Sequence, residues 1–186
     1  MRHVDRILRP WHVWSLGVLA CGWFIGLIVA GSSSLPGIAT SRCPIGMCLT
    51  GYPPHVAREF FGALGPQGRT ALTRLLSPFD FVTPVLLVLA LMSIVLYCTR
   101  PRALGGRTPL TTGWRLTLIA LPLLYGLADY GENVAVLRML AETGQISDQL
   151  AHRGSVLTAA KSQLVVASIA FAGAFVIAGW LERWRG

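Results

Sequence analysis

The sequence predicts an all-α fold: an integral membrane four-helix bundle with short interfacial helices in its first outer loop. Three observations point to it. Of 186 residues, 53% are hydrophobic and only 13% are charged, about half the charged share of an ordinary soluble domain. The apolar residues also fall in runs of the length needed to cross a bilayer, about 20 residues. Residues 13–31, 81–98 and 162–181 hold no Asp, Glu, Lys or Arg. A fourth run, 116–137, is interrupted only by Asp129, Glu132 and Asn133. The expected organisation is one membrane domain over 1–186, with helices at about 12–31, 79–99, 114–141 and 155–182 and an outer loop at 32–78.

The first helix carries Gly22, Gly26 and Ala30 at four-residue spacing. Small residues on one face let helix backbones approach closely in lipid. Packing within the bundle is the simplest use of this face, and a partner membrane protein or a second copy is the alternative. A cleaved signal peptide is also conceivable, since Ile28-Val29-Ala30 precedes Gly31. An uncleaved helix fits the long apolar run better.

The loop 32–78 is too long for a structureless connection. His55 to Leu64 has helical character, with Phe60, Phe61 and Leu64 able to face the membrane. Gly65-Pro66-Gln67-Gly68 reads as a break and Arg69 to Leu76 as a second short helix. Both are expected to lie on the bilayer surface.

Pro84 in the second membrane helix and Pro122 in the third should bend them. Leu104-Gly105-Gly106-Arg107 reads as the turn between these helices. The fourth helix repeats the small-residue spacing with Ala170, Ala174 and Ala178.

Arginines set the orientation. Arg2, Arg6 and Arg9 precede the first helix, Arg100, Arg102, Arg107 and Arg115 flank the second connection, and Arg183 and Arg185 end the chain. The positive-inside rule puts these segments, and so both termini, in the cytoplasm. Trp11, Trp14, Trp114, Trp180 and Trp184 sit near the same boundaries, as an aromatic belt would. The net charge of +8 therefore reports topology and lipid contact. It does not point to nucleic acid, because the arginines form no single stripe.

Asp129, Glu132 and Asn133 lie at i, i+3 and i+4, on one helix face. Lys161, the only lysine of the chain, falls at the same depth on the fourth helix if the two helices run antiparallel, and Asp80 opens the second helix at that level. Ionisable groups inside a membrane are costly and usually mark function. Three acids against one base leave negative charge that a retained proton, an arginine such as Arg138, a cation or a ligand would have to balance. A purely structural network that orients the helices remains the competing account.

The pattern Gly65-x-x-Gly68-Arg69, Asp80, Pro84, Asp129-x-x-Glu132-Asn133 and Lys161 resembles a group of small four-helix bacterial membrane proteins. Members of that group often carry an aromatic residue three positions after the arginine, where this chain has Leu72. The resemblance implies the four-helix architecture and the choice of residues, and it brings no activity with it.

Cys43 and Cys48 lie in the outer loop, where a disulfide is permitted. The chain resembles quinone-coupled thiol oxidoreductases in size, helix count and this cysteine pair. It lacks their C-x-x-C spacing and their second outer pair. His3, His12, His55 and His152 are scattered and form no metal-spaced set, so no metal or cofactor is expected.

The expected function is that of a small multi-pass protein of the bacterial inner membrane. Its outward-facing site of Asp80, Asp129, Glu132, Asn133 and Lys161 would bind a polar or lipid headgroup ligand, or pass a proton or cation. The alternatives are an accessory subunit of a larger membrane complex and an outer-leaflet membrane enzyme, with Arg69 holding an anionic headgroup.

Overall fold

The computed structural model of the chain describes residues 9–34, 48–100, 111–142 and 144–184. Cys43 and the Gly105-Gly106 turn lie outside the described residues. Among the described residues six α-helices follow one another: α1 (Pro10–Ser34), α2 (Pro54–Ala63), α3 (Gly65–Arg74), α4 (Phe81–Cys98), α5 (Thr112–Ala141) and α6 (Asp148–Trp184). A wide helical turn, Leu75–Asp80, joins α3 to α4. There is no strand among the described residues.

Local chemistry explains the ends of these elements. Gly65, at φ 58°, separates α2 from α3, a backbone conformation that costs glycine little. Ser77 leaves the helical region at φ −120°, ψ 110°, as expected of a residue that precedes a proline in the sequence. Thr111 caps α5 by accepting the Trp114 N–H at 3.4 Å. Ser147 caps α6 by accepting the Leu150 N–H at 3.3 Å, and Asp148 adds a negative charge to the first turn. That cap starts α6 seven residues before the expected position, so the helix takes up the second half of the hairpin read from the sequence as polar loop.

Among the described residues, three helical stretches are long and apolar enough to cross a membrane: Pro10–Ala30, Gly65–Cys98 and Asp148–Phe175. The second includes the break at Ser77, so its apolar membrane-length part is α4. α5 is long, at 30 residues, but Asp129, Glu132 and Asn133 dilute its apolar run. Composition and length thus support three crossings where the sequence reading counts four.

α5 lies along α6, α4 packs on both, and α1 packs on α4. The Trp23 indole donates to Thr83 Oγ1 at 3.1 Å, tying α1 to α4. α2 and α3 form a cap over the C-terminal half of α5 and the start of α6. There Tyr52, Ala57, Phe61 and Leu64 pack with Ala135, Val136, Met139 and Ala151. Phe61 and Met139 are fully buried, each contributing roughly 1.5–3 kcal/mol of apolar transfer.

Two sequence expectations are corrected here. Phe61 and Leu64 turn inward instead of facing lipid, because they share the α2 face that closes on Met139. The small-residue faces are not used inside the molecule as expected. Side-chain atoms built on Gly22 or Gly26 would meet nothing within 4 Å, and Ala170, Ala174 and Ala178 are exposed. α5 closes against α6 through a different set, with Ala151, Thr158, Ser162 and Ser168 buried.

Candidate functional site

The site is built on facing surfaces of α5 and α6. Helical spacing puts Tyr125, Asp129, Glu132 and Asn133 on one side of α5, and all four are buried. From α6, Gly154, Thr158 and Lys161 point back at them. Close approach comes from Gly131 and Gly154. A Cβ at Gly154 would lie 2.6 Å from the Met139 methyl and 2.7 Å from the Tyr52 hydroxyl.

Lys161 joins the two acids. Its Nζ donates to Asp129 Oδ1 at 2.7 Å and pairs with Glu132 Oε2. The Thr158 hydroxyl lies between Glu132 Oε1 and the Gly154 carbonyl, the latter at 3.0 Å. On the other flank, the Tyr125 hydroxyl donates to Asp129 Oδ2 at 3.3 Å. A continuous chain of exchangeable groups therefore runs Tyr125–Asp129–Lys161–Glu132–Thr158. It covers about 10 Å of helix at 1.5 Å per residue.

Asp80 joins from the turn before α4. Its carbonyl accepts the Asn133 side-chain N–H at 3.4 Å, and the neighbouring Phe81 carbonyl accepts the Tyr130 hydroxyl at 2.9 Å. The Asp80 carboxylate is within electrostatic reach of Asp129, Lys161 and Glu132. All five residues picked from sequence thus meet in one place.

Three participants escaped the sequence reading. Tyr125 and Thr158 stand one turn from Asp129 and Lys161, so helical spacing could have found them. Tyr52 carries no such signal, because it reaches the site from the loop before α2. Its backbone N–H donates to Ser155 Oγ at 2.8 Å, and its hydroxyl lies beside the Thr158 side chain. Burial first, and then the Glu132 carboxylate, push the Tyr52 hydroxyl up to about 12. The turn before it needs Gly51, at φ 77°, where a Cβ would sit 2.4 Å from Ser155 Oγ.

Arg69 is placed elsewhere. Its guanidinium donates to the carbonyls of Leu140 at 3.1 Å, Glu142 at 2.9 Å and Phe61 at 3.3 Å. It therefore fastens α3 to the end of α5. Cys48 is buried and disulfide-bonded, while Cys21 and Cys98 are free thiols. Among the described residues, no group of three or more His, Cys, Asp or Glu could hold a metal ion.

Fold and site together define a class: an all-helical protein with three helices able to cross a membrane and a buried acid–base cluster between two of its helices. Comparison adds no family to that class, since no family model, curated protein or solved structure matches the chain.

Proposed function

We propose that the chain is a small multi-pass protein of a bacterial inner membrane that accepts and passes a proton or small cation. In this reading α1, α4, α5 and α6 form a four-helix membrane bundle with both termini cytoplasmic. The carboxylates of Asp80, Asp129 and Glu132 are the accepting groups, and Lys161 positions two of them. The supporting observation is the charge balance: one ammonium faces three carboxyl groups, two of them almost fully buried. Unneutralised charge is expensive at membrane depth, so the cluster favours taking up positive charge. The chain of hydroxyl, carboxylate and ammonium groups supplies a path for it.

Reconstituted vesicles with an imposed pH gradient and an internal pH dye test this. The wild-type chain should collapse the gradient faster than empty vesicles. Glu132→Gln and Asp129→Asn should remove that excess while the protein stays folded and abundant. Equal rates for all three proteins would sink the proposal, and loss of folding in both variants would make the cluster an orienting network.

A second reading, an accessory subunit, is favoured by one observation. The Gly22–Gly26 and Ala170–Ala174–Ala178 faces lie uncovered, as they would if another membrane helix packed there. Gentle extraction from the native membrane separates the readings. A large particle of fixed stoichiometry, released by Gly26→Leu or Ala174→Leu, supports the subunit.

A further inference from the structure

Beyond the carboxylate cluster, the end of α5 and the start of α6 line an open surface cleft of about 420 Å³. Arg138, Glu142, Ser147, Gln149 and Arg153 supply its polar wall. Arg138 lies six residues past Glu132, about 9 Å further along α5, so the cleft is distinct from the acid–base site. Neither Arg138 nor Arg153 makes an ion pair with a described residue, whereas the nearby Arg58 is paired with Asp148. Two guanidinium groups are thus left facing one opening with a single carboxylate, Glu142, beside them.

The neutral groups match an anion as well. Ser147 Oγ accepts the Leu150 N–H, which leaves its own proton to donate. The Gln149 amide carries two more donors. Planar guanidinium forks bind tetrahedral oxyanions by paired, charge-assisted hydrogen bonds. We propose that this cleft binds a phosphate-type anion, supplied either by a phospholipid headgroup or as free phosphate. The proposal does not rest on proton or cation passage at the cluster.

The test uses the full chain in maltoside micelles, which contain no phosphate. Inorganic phosphate is titrated and followed by phosphorus NMR, and phosphatidylglycerol is then added as competitor. Saturable phosphate binding is expected. Arg138→Gln and Arg153→Gln should each weaken it about tenfold or more, the usual cost of a lost charged hydrogen bond. Glu142→Gln should strengthen it by removing the one repelling carboxylate, a sign that a folding defect cannot produce. Competition by the lipid identifies the headgroup as the source, as does arginine-dependent lipid retention with no phosphate binding. Phosphate binding without competition identifies the free anion. Absence of both ligands, or affinities unchanged in all three variants, overturns the proposal.

Discussion

At the scale of single residues, Lys161 is the keystone, because among the described residues it alone forms ion pairs with Asp129 and Glu132. Removing one partner of a buried ion pair strands the other, which costs about 3–5 kcal/mol. Lys161→Met should therefore lower the melting temperature more than Glu132→Gln, which leaves the Asp129 pair intact. Tyr52 gives a pH signature. Its hydroxyl is held up to about 12 from an ordinary 10.0, so the folded state keeps a proton that the unfolded chain gives up first. Stability should be flat below pH 10 and fall between about 10 and 12, and Tyr52→Phe should flatten that decline. Asp129, Glu132 and Lys161 were legible from the sequence because charge inside an apolar run is conspicuous. Tyr52 was not, since its role depends on a contact 103 residues away.

At the scale of elements, the helical class and the order of the described helices were legible from apolar runs and from Gly–Pro breaks, as at Gly65-Pro66 and Ser77-Pro78, while the expected fourth crossing was not matched by composition and length. The inward face of α2 was not, because Phe60 and Phe61 are adjacent and composition cannot say which of them meets Met139. Arg69 had the look of a ligand contact in sequence, yet it serves the backbone at the end of α5. Arg69→Ala should free two carbonyls there at a cost of about 1–3 kcal/mol. Hydrogen exchange should then quicken at the amides near Glu142, while those around Asp129 keep their protection.

For the whole molecule, the number of crossings decides where the ends lie. Three apolar stretches are evident among the described residues, and α5 is the element in question. With four crossings, protease added to inside-out vesicles should remove both an N-terminal and a C-terminal tag. With three, only one tag would be cut. The outcome bears directly on the cluster, because α5 shields its carboxylates by packing against α4 and α6 and would carry them into the bilayer only if it spans.

The cap has a consequence for biogenesis. Tyr52 docks on Ser155, Arg58 pairs with Asp148 and Arg69 grips Glu142. An earlier-made segment is therefore secured in part by the last helix, through Ser155 and Asp148. During synthesis the contacts of Tyr52 and Arg58 must wait until α6 has been made. A chain stopped after Ala141 would keep three of its long helices and the α5 side of the cap's seat, yet lose the contacts to Asp148, Ala151 and Ser155, and the quality-control proteases of the cell should clear it faster than the full-length protein.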